Sequence, residues 1–356
     1  MDQEIYFLKK KKKKKRIKLQ IRPCSDVVHQ DGKLYSVSSG VEGRRGRWSR
    51  STRETKEPKF LGSKSYATKL TMCIAVFLWR AHPLYPFILL LNRDEYHSRS
   101  TRPLGWWEGD EILGGRDEVA GGTWLACSRD GRMAFLTNVR EVQSLPEAKS
   151  RGDLPVRFLQ SKKRPAEFAE EMVKEADQYN GFNLILTDLC SKTMVYVTNR
   201  AKEGNNLVTE VESGIHVLTN ARLDSPWPKA QRLGDNFREL LDEHGEKELP
   251  MKEMVEKLMV DTFKEDESML PHIYPPEREY HLSSIFVETH TTPIGRYGTR
   301  STSAVFVNAI GEVEFYERHL ENELWKEETV TYQIEETDQV IGENMASPIK
   351  SLQQII

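Results

Sequence analysis

The chain is 356 residues long, 38% apolar and 30% charged, with a formal net charge of −2. That composition supports a sizeable core, so the chain is not disordered throughout. No run approaches the ~20 apolar residues of a bilayer-spanning helix, and four cysteines without a CxxC pair exclude a disulfide scaffold and point to a reducing compartment.

The small net charge conceals two unlike parts. Residues 1–71 carry 20 Lys+Arg against 7 Asp+Glu, and residues 72–356 carry 32 against 47. The front reads "LKKKKKKKRIK" and later "SSGVEGRRGRWSRSTRETK". Its apolar residues are too sparse to offset the entropy of ordering. Residues 1–71 are expected to be a disordered basic extension, either a surplus of the gene model or a targeting segment of nuclear, anionic-membrane or transit type. It has no apolar h-region, so it is not a secretory signal.

From Cys73 the texture changes. "CIAVFLWR" reads as a strand, "AHPLYP" as a proline turn and "PFILLLNRDEY" as a second strand. "GGRDEVAGGTW" reads as a tight glycine-rich connection. "TWLACSRDGRMAFLTNVRE" reads as a hairpin with Arg129-Asp130-Gly131-Arg132 at its tip. The period then becomes helical: Phe168, Met172, Val173 and Ala176 share one face of "PAEFAEEMVKEADQY". Strands return in "FNLILTDL", "TMVYVTNR" and "GIHVLTNA". Two helices follow, "PKAQRLGDNFRELLDEHG" and "MKEMVEKLMVD". The last quarter predicts strands at "SSIFVETH", "STSAVFVNA", "VEFYERHL" and "EETVTYQI". This is an α+β pattern of largely antiparallel sheets over residues 72–337, with residues 338–356 as a flexible tail.

Nothing in this body resembles a phosphate-binding glycine loop, and no zinc spacing is present. His82, His216, His281, His290 and His319 are scattered, so no metal site is expected. Its acidity excludes nucleic acid as a partner of the folded domain.

If the first hairpin turns about Pro83, Phe77 faces Leu89, Ala75 faces Leu91, and Cys73 faces Arg93. A guanidinium then sits beside a thiol and favours the thiolate. Alternation puts Arg93 and Glu95 on one face and Asn92 and Asp94 on the other. Ala75, Phe77, Leu89 and Leu91 would wall any cavity on the Cys73 face. Met72-Cys73 has the form of a translation start. Loss of Met72 would leave Cys73 with both a thiol and an α-amine, the arrangement of N-terminal nucleophile enzymes. The bland reading is a small buried cysteine at a strand start and a solvated charge cluster at a strand end. Cys127 and Cys190, in or beside expected strands, read as core thiols, and Cys24 sits in the loose front.

"MCIAVFLW", "LLLNRDEY" and "GGRDEVAGGTWLA" resemble the NRDE family, named for that tetrapeptide, over Met72 to about Thr337. That family is similar, more distantly, to N-terminal-cysteine hydrolases of the choloylglycine hydrolase and penicillin V acylase type. The resemblance implies a four-layer αββα sandwich. It also implies a site of Cys73 as nucleophile, Arg93 and Asp94 from the next strand, Asn138 and Asn220 as oxyanion or amine-orienting amides, and Arg300 as second guanidinium. Asn92 and Glu95 would assist binding. The hydrolases space their Arg and Asp more widely than the adjacent Arg93-Asp94 here.

Three functions stay open on these grounds. One is hydrolysis or transfer of an amide or thioester acyl group. Another is a carrier that kept the fold and lost turnover. The third is an adaptor of the secretory pathway. The resemblance implies roles in Golgi organisation, secretion, and lipid or haem homeostasis. It implies no resident cofactor, with haem or acyl-CoA as candidate ligands and a hydrophobic or acyl small molecule as the partner. Peripheral membrane contact and a cytoplasmic, Golgi-associated or mitochondrial location fit that picture.

Overall fold

A computed structural model describes residues 72–201 and 206–335. The expectations for residues 1–71 and 338–356 lie outside the described residues.

Two antiparallel sheets carry the fold. The first runs β11-β1-β2-β13-β14-β15, where β1 is Met72–Trp79, β2 Phe87–Tyr96, β11 Gly214–Leu218, β13 Gly295–Val307, β14 Glu312–Glu321 and β15 Leu324–Gln333. A short β12 (His290–Thr292) adds to β13. The second sheet runs β10-β9-β8-β7-β6-β4, from Val208–Glu210, Thr193–Thr198, Phe182–Asp188, Arg132–Asn138, Leu125–Ser128 and Ile112–Gly114 respectively. A small ribbon pairs β3 (Thr101–Arg102) with β5 (Arg116–Asp117).

Side chains one apart on a strand face opposite ways, and that parity builds the layers. Ala75, Phe77, Leu89, Leu91 and Phe315 of the first sheet meet Leu125, Phe135 and Ile185 of the second in a central core. Ile74, Val76, Leu78, Ile88, Leu90 and Phe306 point outward, against Leu233 and Phe237 of α3 (Pro228–His244) and Met254 and Val255 of α4 (Met251–Leu258). The outer face of the second sheet, including Ala134, Leu184 and Leu186, takes Leu154 and Phe158 of α1 (Asp153–Ser161) and Phe168 and Met172 of α2 (Pro165–Val173). The result is the expected helix–sheet–sheet–helix stack. It explains the unbroken apolar runs of β1 and β2, which are covered on both faces. A fifth helix, α5 (Pro276–His281), is followed by Leu282, which packs with Tyr96 at the end of β2 that carries its charges. Among the described residues no helix is long and apolar enough to cross a membrane.

The first hairpin has the expected register: Phe77 with Leu89, Ala75 with Leu91, Cys73 with Arg93. Three local expectations need correction. The helix expected over "PAEFAEEMVKEADQY" ends at Val173, and Ala176 begins a separate 3₁₀ turn. Helix α1 was unforeseen; it is short, and its first turn contains Pro155, which helices accept there. "SSIFVETH" forms no strand except at its last residue. Its carbonyls and amides are held individually instead: Ile285 O by Asn92 Nδ2 at 3.0 Å, Ser284 O by Lys229 Nζ at 3.3 Å, and Phe286 N by Asp261 O at 2.7 Å.

Candidate functional site

Strand β2 ends in four polar residues, and none of them is solvated. Asn92, Arg93, Asp94 and Glu95 are all buried. Burying such groups is costly unless each finds a partner, so their partners define their roles.

Asn92 points to the helical layer. Its Nδ2 donates to the carbonyls of Met259 and Ile285 at 2.8 and 3.0 Å, and its Oδ1 accepts from Thr302 Oγ1 at 2.6 Å. The expectation that Asn92 binds ligand is therefore corrected: its donors and its acceptor are spent on holding two loops to the sheet.

Asp94 shares that face. Oδ1 accepts from Thr299 Oγ1 at 2.6 Å, while Oδ2 is buried with no hydrogen-bond partner among the described residues. Burial pushes the Asp94 carboxyl up to about 7, against the opposing pull of Lys229. Lys229 of α3 is equally buried, donates Nζ to Leu282 O at 2.8 Å, and is pulled down to about 8 by its desolvation.

Arg93 and Glu95 point the other way. A cavity of about 530 Å³ opens at this end of the strand, lined by Cys73, Arg93, Asp94, Glu95 and Asn138, with Trp124, Leu136, Val139 and Tyr274 supplying apolar surface. The Arg93 guanidinium lies 4.2 Å from the centre of the Trp124 ring, a cation–π arrangement. Its nearest carboxylate oxygen is Glu95 Oε2 at 3.5 Å, and among the described residues it makes no hydrogen bond. Glu95 Oε2 is shared with Arg99 at 3.5 Å, and Arg99 clamps Asp117 bidentately at 2.9 and 2.6 Å. Burial raises the Glu95 carboxyl, with Arg93 pulling it back.

Cys73 is 4% exposed. Burial, reinforced by the Asp94 charge, pushes its thiol up to about 12, and the opposing Arg93 charge only partly offsets this. The cation expected to favour the thiolate is present but outweighed. In the chain as it runs through Met72, Cys73 is a neutral thiol with an acylated nitrogen. Among the described residues the cavity lining contains no histidine to serve as its base.

The other expected residues divide. Asn138, at the end of β7, lines the cavity. Asn220 stands behind it: Asn220 Nδ2 donates to Asn138 O at 2.8 Å, and Asn220 O accepts from Arg140 N at 2.7 Å. Asn220 is therefore a strut of the wall and is not part of the lining. Arg300 also lies outside this cavity, in a neighbouring one. The physical reason is a bulge in β13. Thr299 pairs with Asp94 and Ser301 with Arg93, so Arg300 is the extra residue and its side chain is redirected.

Ala75, Phe77, Leu89 and Leu91, expected as walls, fill the core between the sheets. The wall is made instead by residues that sequence reasoning passed over. Trp124 is the last residue of the "GGRDEVAGGTW" stretch. Gly115, at the head of that stretch, allows it to lie flat, because a Cβ there would come within 2.5 Å of the Trp124 ring. Arg140, two residues past Asn138, pairs with the fully buried Glu279 at 3.3 Å and covers Trp227 at 4.6 Å, tying α5 to the rim. Arg151 donates to Gly181 O at 2.9 Å and is pulled down to about 10 by desolvation. No local spacing marks these residues, because each is placed by a partner distant in sequence.

A family model described as Transport and Golgi organisation 2 matches residues 72–322. The Transport and Golgi organization 2 homolog of Mus musculus is 31% identical over 284 residues, covering 74% of this chain and 98% of its own. The corresponding Bos taurus protein is 33% identical over 262 residues, covering 70% and 93%. Among solved structures, a mutant of the conjugated bile acid hydrolase from Clostridium perfringens is similar at 10% identity and a TM-score of 0.37, covering 74% of this chain and 98% of that one.

Proposed function

This chain belongs to the Transport and Golgi organisation 2 family, and we propose that it binds a ligand with an apolar acyl or macrocyclic body and an anionic or carbonyl head in the cavity beside Cys73. The reading rests on Arg93. A buried guanidinium ordinarily spends its donors on a carboxylate or on carbonyls. Arg93 is ion-paired with Glu95 at 3.5 Å but makes no hydrogen bond among the described residues, and Glu95 is shared with Arg99. Its donors are left for a group that enters the cavity, while Trp124, Leu136 and Tyr274 offer surface to an apolar body. Acyl-CoA and haem have that chemistry. The cellular role we attach to it is transport and Golgi organisation, after the name its relatives carry, through lipid or haem handling and secretion.

A second reading, a cysteine N-terminal nucleophile acting on amide or thioester bonds, is favoured by Asp94. Its Oδ2, unpartnered among the described residues, belongs to a carboxyl opposite Met72 whose charge acts on Cys73, suited to an α-ammonium. Such chemistry needs the Met72–Cys73 bond broken. The thiol would then attack the acyl carbonyl, its proton would pass to the α-amine and on to the leaving group, and Asn138 would hold the oxyanion.

Isothermal titration of the protein with palmitoyl-CoA and with haem is the test. Binding of either below ~100 μM, about −5.5 kcal/mol, supports the ligand reading. Binding of neither leaves the adaptor reading in its place.

A further inference from the structure

A second cavity of about 330 Å³ lies on the far side of Arg93, Arg99 and Trp124, which line both cavities. Among the described residues, three buried polar atoms that face it have no hydrogen-bond partner. Ser301 is 4% exposed and its Oγ makes no hydrogen bond; His319 is 8% exposed and its Nδ1 makes none. These two residues are direct partners across β13 and β14, so their side chains stand side by side. The third atom is Nε of Arg300, brought here by the bulge. The Arg300 Nη1 donates only to main-chain oxygens, those of Tyr96 at 3.4 Å and of Arg99. It makes no ion pair among the described residues.

Buried donors left unmade are rare in folded proteins and ask for an explanation. Here they are grouped in a concave site, at adjoining positions, beside the further guanidiniums of Arg99 and Arg102. Two acids also face the cavity. Glu317 Oε1 is engaged by Leu104 N at 2.9 Å and lies 3.9 Å from His319 Nδ1, and Glu321 is ion-paired with Lys326. Neither neutralises Arg300.

We infer that this second cavity is an oxyanion subsite that takes a phosphate group, with Arg300 and Ser301 as its donors and His319 donating from Nδ1 in that tautomer. Guanidinium and hydroxyl donors from several directions suit a tetrahedral oxyanion better than a planar carboxylate. The inference does not need the first cavity to be filled. Where one ligand spans both, its phosphoryl end would lie here and its body beyond Trp124.

The test is calorimetric titration of the full chain with inorganic phosphate in phosphate-free buffer, alongside acetate, glycerol 3-phosphate and vesicles containing phosphatidic acid. Phosphate binding that weakens about tenfold or more in Arg300→Gln and severalfold in Ser301→Ala is the expected result. Glycerol 3-phosphate binding as well as phosphate would assign the subsite to soluble phosphates; tighter binding to the vesicles would assign it to a lipid headgroup. Should Arg300→Gln fail to fold, Ser301→Ala decides alone. No phosphate binding up to about 20 mM, equal binding of acetate, or affinity unchanged by the variants would overturn the assignment. If phosphate binds here while palmitoyl-CoA and haem do not bind at all, the first cavity's reading fails and this one stands.

Discussion

Cys73 and Arg93 stand directly opposite each other across the β1–β2 pair, on the face that opens into the cavity. A cation so placed ordinarily lowers a thiol pKa. Here burial and the charge of Asp94 outweigh it and push the thiol up to about 12. The same juxtaposition that marks a nucleophile in the sequence is thus, in the chain extending through Met72, a guanidinium ion-paired with Glu95 beside a neutral thiol.

Alkylation should report this directly. Among the three described cysteines, iodoacetamide at neutral pH should modify the partly exposed Cys190 first, while Cys73 and Cys127, both buried, react only on unfolding. Peptide mass mapping reads the order. A protein expressed from Met72 and processed to Cys73 gains an α-amine with a reference pKa of ~7.7–8.0. Its Cys73 should alkylate faster by about tenfold or more. Equal rates in the two proteins would remove the hydrolase reading.

Arg93→Ala should weaken acyl-CoA or haem binding by ~1.5–3 kcal/mol, the usual worth of a charge-assisted hydrogen bond. That is roughly 10–150-fold in Kd. Cys73→Ser removes no charge and should leave affinity nearly unchanged, while abolishing any turnover of an amide or thioester. Titration of the two variants separates binding from chemistry. Arg93→Ala binding as tightly as wild type would contradict the assignment of the head group.

Much of this was legible beforehand, and the parts that were not have a common cause. Centring the first hairpin on the Pro83 turn sets the register, so the Cys73–Arg93 pairing could be read. The role of Asn92 could not, since the carbonyls of Met259 and Ile285 that occupy it lie 167 and 193 residues away. Ile285 and Val287 alternate as a strand would, yet side chains from β2 and α3 hold this segment as a strap. Arg300 was expected at the thiol because nothing local announces the bulge between Thr299 and Ser301.

Glu317 offers a pH test with a definite sign. Burial raises its carboxyl from 4.5 to about 7. Between those values the folded chain keeps a proton that the unfolded chain has released, so stability falls as pH rises through that window. The full loss above it is on the order of 3 kcal/mol. Urea unfolding at about pH 5 and about pH 7.5 should show the drop in wild type and a smaller one in Glu317→Gln. Asp94, also raised to about 7, keeps part of the slope in both proteins. Lys229, lowered to about 8, acts only above the window. Parallel slopes would mean that Glu317 titrates normally.

The last prediction follows the wall of the cavity back to a glycine. Trp124 lies across Arg93 at 4.2 Å, and what lets it lie there is Gly115, where an added Cβ would meet the ring at 2.5 Å. An aromatic ring on a buried guanidinium does two things. It shields the charge from bulk water and fixes the plane in which the donors point. Gly115→Ala must displace the ring, at a cost of about 1–3 kcal/mol in stability, typical of overpacking a tight contact. Displacement also frees Arg93 to turn toward Glu95, so affinity for an anionic head should fall even though no ligand-contacting residue has changed. Two measurements distinguish this from simple destabilisation: titration well below the melting temperature, where the variant is fully folded, and the double variant Gly115→Ala with Trp124→Leu. The smaller Leu relieves the clash, so the double variant should regain stability without regaining affinity. Recovery of both together would mean that Trp124 serves packing alone and that Arg93 needs no ring to hold it.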